Sequence, residues 1–169
     1  MDNKFLCLMS QFDTETERKL KEIQNLLKEV GFTGEQTPNL PNHITLGTFK
    51  TDNEIELIDK LKTVCNNTYR IPISFNNIGL FGLKVLFISS SASHELLDLQ
   101  QEFDSNYLHS FNWVPHVTML IDNPENIQKA IPIVADKFSA FTGYIESISL
   151  YEFFPTRFIL EEKLLAKIN

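Results

Sequence analysis

The sequence predicts an α+β fold made of two similar halves, and three observations predict it. The order strand, helix, strand, helix, strand runs once over about residues 4–76 and again over 84–153, with a closing strand at about 157–162. The middle strand of each half carries one pattern, His43-Ile44-Thr45-Leu46 in the first and His116-Val117-Thr118-Met119 in the second. At 169 residues the chain is the size of one domain and long enough to bury a substantial interior. The expectation is a single bilobal domain, 1–169, whose halves are related by a pseudo-two-fold axis.

Lys4 to Met9 opens the chain as a strand whose apolar run implies burial on both faces. Asp13 or Thr14 then caps a helix, Thr14 and Glu17 standing at capping-box spacing. Leu20, Ile23, Leu26, Leu27 and Val30 form its apolar stripe and Gly31 ends it. A loop through Thr33-Gly34-Glu35-Gln36-Thr37-Pro38 leads to the first His-x-Thr strand. Thr51 and Glu54 repeat the capping-box spacing and open a helix with Ile55, Leu57, Ile58, Leu61 and Val64 inward, ending near Asn66-Asn67. A strand from Arg70 to Phe75 follows. Asn76-Asn77 and the glycines at 79 and 82 predict a turn region around Ile78-Gly79-Leu80-Phe81, before a strand from Lys84 to Ser89.

In the second half Ser91 caps a helix carrying Leu96, Leu97, Leu99, Phe103 and Tyr107. The second His-x-Thr strand comes next, and Asn123-Pro124 supplies a cap with proline at the first helical position. That helix runs toward Phe138, with Pro132 expected to kink or split it. Two closing strands, about Tyr144 to Phe153 and Arg157 to Glu162, are separated by Phe154-Pro155-Thr156.

Composition narrows the function. With 43% hydrophobic and 22% charged residues this is an ordinary globular chain. A net charge of −7 argues against a surface built to grip long nucleic acid, which is held largely by Lys and Arg on phosphates. A small nucleotide or an RNA terminus remains compatible as substrate. Cys7 falls in a strand and Cys65 near a helix end, so both read as small buried apolar residues, which fits a reducing cytoplasm. Phe5 to Met9 is only strand length, which is too short for a signal segment, and nothing approaches the about 20 apolar residues of a membrane span.

The paired motifs carry the chemistry. Both lie in runs of β-branched and apolar residues entered by a proline, Pro41 or Pro115, so both read as strands. Side chains alternate along a strand, so His43 and Thr45 share one face at about 7 Å spacing, and His116 and Thr118 do the same. Two imidazoles can divide general base and general acid near neutral pH, and two hydroxyls can hold a phosphate between them. One such motif is commonly a half-buried histidine with a polar neighbour; two of the chain's four histidines in matching contexts are harder to explain that way.

With these residues the chain resembles the two-histidine (2H) phosphoesterase superfamily, which includes the 2′-5′ RNA ligases and 2′,3′-cyclic nucleotide phosphodiesterases. The paired motifs carry the resemblance, supported by the opening strand, by Gly79-x-Phe81 before Val85-Leu86-Phe87-Ile88, and by Phe158-Ile159-Leu160-Glu161 near the end. It implies a bilobal, LigT-like α+β fold of mainly antiparallel sheet, with helices outside and a central cleft. It also implies metal-independent chemistry on RNA-type phosphodiesters without a cofactor, with His43 and His116 as acid and base and Thr45 and Thr118 on the non-bridging oxygens. The chain departs from the bacterial RNA ligases after the second motif, where those members often carry a basic residue and this one has Leu120-Ile121-Asp122. That speaks against the ligase label and against a long, tRNA-like substrate.

The expected activity is a phosphodiesterase on 2′,3′-cyclic phosphates or 2′,5′-linked diesters, reversible as a ligase, in a cytoplasmic monomer. Two rival readings are a non-catalytic nucleotide-binding protein of this fold and a metal hydrolase using the two histidines. The second lacks a carboxylate at ligand spacing on either motif strand, Asp122 having the opposite strand parity from His116. Phe12, expected in the loop after the first strand, is a candidate for stacking on a nucleobase. His94 and His109 read as surface residues, and Arg157 as a strand-end charge that could also meet a phosphate.

Overall fold

A computed structural model describes residues 4–103 and 113–167. The chain runs β1 (Phe5–Phe12), α1 (Thr14–Glu29), β2 (His43–Phe49), α2 (Glu54–Cys65), β3 (Ile71–Phe81), β4 (Val85–Ser90), α3 (His94–Glu102), β5 (His116–Ile121), α4 (Pro124–Lys137), β6 (Phe141–Phe153) and β7 (Arg157–Lys163). The class is α+β, and the seven strands make one antiparallel sheet in the order β2-β1-β6-β3-β4-β5, with β7 beside β6. This order is unchanged when β1, β2 and β3 are exchanged for β4, β5 and β6. The third strand of each half is hydrogen-bonded next to the first strand of the other, and the two His-x-Thr strands end the series.

The apolar run of β1 is buried on both faces. Leu6 and Leu8 point into the main core with the stripes of the helices, while Cys7 and Met9 join Phe153 in a smaller cluster flanked by Phe5, Leu40 and Tyr151. Helix α1 starts at Asp13, whose carboxylate accepts from the Thr16 N–H at 3.0 Å, the Thr16 hydroxyl at 2.7 Å and the Tyr144 N–H at 2.7 Å. One side chain therefore caps α1 and ties it to β6. The helix ends in a Schellman motif: Phe32 N–H donates to the Leu27 carbonyl and Gly31 N–H to that of Lys28, with Gly31 at φ +101°.

Several boundaries differ from the sequence expectation. Thr14 forms no capping box, because Asp13 is the cap and Glu17 instead accepts from the Asn42 N–H. Val30 is the C-cap of α1 and exposed, outside the stripe. Thr51 opens a 3-10 turn rather than a capped helix, and α2 buries Leu57, Leu61, Val64 and Cys65 while Ile55 lies on its solvent face. Ser93, not Ser91, caps α3 by accepting from Leu96 N–H, since Ser91 is held to the Ser74 carbonyl. Helix α4 continues through Pro132 without splitting. Tyr107 and His109 lie outside the described residues.

The largest difference is at residues 76–81, which are strand rather than turn. β3 runs on to Phe81 after a register shift between Phe75 and Asn77, and the reversal is made at Gly82, φ +55°. Among the described residues no helix is long and apolar enough to cross a membrane.

Candidate active site

β2 and β5 show the alternation that their residues require. Ile44, Leu46, Val117 and Met119 are buried in the core, while His43, Thr45, His116 and Thr118 stand half-buried on the opposite faces. Each imidazole is fixed in the same way. His43 Nδ1 lies 2.9 Å from the Pro41 carbonyl, and His116 Nδ1 lies 2.6 Å from that of Val114, in both cases two residues earlier. A carbonyl only accepts, so Nδ1 carries the proton in each ring and Nε2 is the nitrogen that can take or give one. Burial pushes the His43 pKa below the ordinary imidazole value; its hydrogen bond to Pro41 opposes this, and the charge of His116 adds to it.

Both motif strands are held at the main-chain carbonyls of their threonines. Trp113 Nε1 donates to the Thr45 carbonyl at 2.9 Å, and Gln24 Nε2 donates to the Thr118 carbonyl at 3.1 Å. Each motif is thus pinned by a side chain from the other half of the chain. The loop before β2 reaches across as well: Ile121 N–H donates to Gln36 Oε1 at 3.0 Å and Glu35 N–H to the Ile121 carbonyl at 2.7 Å. Between these ties opens a cavity of about 260 Å³ lined by His43, Thr45, Thr118, Gln24 and Gln36.

His116 also has an aromatic seat. The Phe81 ring meets the imidazole edge to face at 4.7 Å between centroids, and Phe87 packs on it at 5.0 Å. Phe87 lies across from Gly79 on the neighbouring strand, where an added Cβ would come within 2.4 Å of two ring carbons. Glycine at 79 is therefore the space that the Phe87 ring occupies. Cys7, 4.0 Å from the Thr45 hydroxyl, has its thiol pushed up to about 12 by burial and stays protonated. It packs; it does not attack.

A family model described as the 2′-5′ RNA ligase superfamily matches residues 12–153. The chain belongs to that superfamily. No curated protein matches it by sequence. LigT of E. coli complexed with 3′-AMP is similar in structure, with a TM-score of 0.63, 13% identity and 95% of this chain covering 98% of that one. The protein TT0787 of Thermus thermophilus gives a TM-score of 0.63 at 10% identity, with 97% and 100% of the two chains covered. E. coli LigT complexed with ATP gives 0.62 at 15% identity over 95% and 97%. These neighbours establish that the superfamily fold extends over nearly the whole chain.

In this superfamily member the other sequence candidates resolve as follows. Phe12 is corrected: it is the last residue of β1, paired with Ile145, and its ring is buried against Phe75 at 5.5 Å, so it cannot stack on a ligand. Arg157 is a strand-end charge held by Glu54 and Glu152 at 2.6 and 2.9 Å. His94 is exposed at the start of α3. Asp122 accepts from Asn123 N–H and Asn126 Nδ2 at the head of α4. Among the described residues no three His, Cys, Asp or Glu side chains form a group that could hold a metal. Sequence reading missed Gln24, Trp113 and Phe87. Trp113, the one tryptophan and three residues before His116, carried the only local hint.

Proposed function

We propose that this chain is a metal-independent, cofactor-free phosphodiesterase acting on 2′,3′-cyclic phosphates or 2′,5′-linked RNA-type diesters, and capable of the reverse ligation. The observation that carries the reading is the matched setting of the two imidazoles, each with Nδ1–H donated to the carbonyl two residues earlier, which makes Nε2 the nitrogen that exchanges a proton. His43, whose burial favours the neutral form, is the base: its Nε2 takes a proton from the attacking water. His116 is the acid, giving its Nε2 proton to the departing ribose oxygen as the bond to phosphorus breaks. Thr45 and Thr118 donate their hydroxyls to the non-bridging oxygens. In the ligation direction the two histidines exchange roles, as microscopic reversibility requires.

The charge of the site supports a diester. Among the described residues lining the cavity none is Lys or Arg, and such a weakly charged wall suits the single negative charge of a diester better than the double charge of a monoester. Binding of 3′-AMP, ATP and phosphate by E. coli LigT supports a small nucleotide substrate. The halves 4–76 and 84–153 act as lobes on either side of the cleft, in keeping with the exchangeable sheet order. We place the protein in the cytoplasm as a monomer, with no extended RNA surface, in line with its charge of −7.

The test is turnover of the four nucleoside 2′,3′-cyclic phosphates and of 2′,5′- and 3′,5′-linked dinucleotides with EDTA present. Cleavage of the cyclic or 2′,5′ substrates, with the 3′,5′ linkage spared, is expected. Absence of turnover on every substrate, or activity lost to EDTA and restored by zinc, overturns the proposal.

The aromatic seat gives a second expected result. Gly79→Val drives the Phe87 ring from its place and tilts the imidazole beside it, so kcat falls by about 10- to 100-fold, the scale on which misplacement of a reacting group is felt. Far-UV circular dichroism should remain that of the parent. The pair Gly79→Val with Phe87→Leu recovers part of the loss if the ring is the intermediary. An unchanged kcat in Gly79→Val removes the seat from the mechanism.

A further inference from the structure

Resting on the proposed phosphodiesterase reading, we infer that the cavity continues past His43 into a nucleobase subsite built from Phe154, Phe5 and Phe153, with Thr48 and Asn42 as its hydrogen-bonding groups. All five residues line the same cavity as His43, Thr45 and Thr118. Phe154, in the turn between β6 and β7, is 62% exposed. Its ring is backed by Phe153 at 5.2 Å between centroids and meets Phe5 edge to face at 6.4 Å, so two aromatic neighbours hold it as a platform on the wall of the cavity. Leaving that much aromatic surface in water is unfavourable, and a stacked base covers it without regard to sequence.

A second observation is independent of the rings. Asn42 and Thr48 are each 5% exposed, and Asn42 Nδ2 and Thr48 Oγ1 are buried without a hydrogen-bond partner. Buried polar atoms in a native protein have partners, so two orphans on the wall of one cavity mark where a ligand or its water belongs. Aromatic faces with a donor and a hydroxyl beside them suit a planar heterocycle with polar edges. A second phosphate does not fit the same end, since no Lys or Arg is among the described residues lining it. The base-stacking role expected of Phe12, whose ring is in the core, falls instead to Phe154, at the far end of the sheet strand that pairs with β1.

The test compares ligands with and without a base in Phe154→Ala, Phe154→Tyr and Thr48→Val. By equilibrium titration, Phe154→Ala is expected to weaken adenosine 3′-monophosphate about 5- to 150-fold, the range of base stacking on an aromatic. Inorganic phosphate is expected to lose little, and Phe154→Tyr to restore nucleotide affinity. Thr48→Val is expected to cost the nucleotide about 2- to 10-fold, the range for one neutral hydrogen bond. In turnover, the preference for a nucleoside 2′,3′-cyclic phosphate over base-free 1-O-methylribose 2′,3′-cyclic phosphate falls by the Phe154→Ala factor. Equal nucleotide affinity in the parent and Phe154→Ala, or an equal loss for phosphate, overturns the subsite. The titration needs no turnover, so an inactive parent that still binds the nucleotide through Phe154 defeats the catalytic proposal and leaves the subsite standing.

Discussion

Replacing either motif histidine by alanine lowers kcat/KM for the cyclic phosphate by at least ~10²-fold, because positioned acid or base catalysis contributes about 10²–10⁴. The two variants differ in what remains of the pH profile. The parent gives a bell: the rate rises as the base loses its proton and falls as the acid loses its own. Burial favours neutral His43, so the rising limb lies below the ordinary imidazole value. His43→Ala removes that rising limb, and His116→Ala removes the falling one. The apparent values in the parent belong to the coupled pair, since each imidazole feels the other. Full activity in either variant, or the loss of the opposite limb, would falsify the assignment of roles.

The same shift touches stability, with a definite sign. A folded-state pKa below the unfolded value means that the unfolded chain binds more protons in the interval between them. The stabilisation from neutral His43 is fully present above about pH 6.5, the unfolded value, and is lost as pH falls through the depressed folded one. Activity and stability therefore weaken together on the acid side.

Much of the candidate site was legible because its logic is local. Alternation along a strand placed His43 with Thr45 and His116 with Thr118, and burial of the residues between them follows from the same period. What stayed hidden was decided at long range. The turn expected at 76–81 rested on Asn-Asn and glycine signals, yet pairing with β4 carries β3 through them, and Gly79 is there for the ring of Phe87. Phe12 read as a loop residue because Asp13 begins a helix, but pairing with Ile145 keeps it in β1 and turns its ring inward. Gln24 and Trp113 act on carbonyls 94 and 68 residues away, and no local pattern announces such a bond. The family resemblance held for the fold, while the aromatic wall at Phe154 became visible only when β1, β6 and the turn after β6 came together.

Thr45→Ala and Thr118→Ala each lower turnover by about 10- to 150-fold, less than loss of a histidine. In the proposed mechanism each removes one hydroxyl hydrogen bond to a charged phosphoryl oxygen, an interaction of about 1.5–3 kcal/mol, and each 1.36 kcal/mol is tenfold in rate. The loss falls on kcat more than on KM if the bond tightens as charge gathers on the non-bridging oxygens. The carbonyl ties from Trp113 and Gln24 reach the main chain and survive both substitutions, so strand position is preserved and the hydroxyl alone is tested. Thr→Ser keeps the hydroxyl while giving up β-branching, and should be the milder change at each site. The double alanine variant distinguishes a shared grip from two separate ones: if both hydroxyls hold one phosphoryl group, the second loss is smaller than the first because the group is already free to shift. Full activity in both single alanine variants would mean that these threonines are there to form the strand and nothing more.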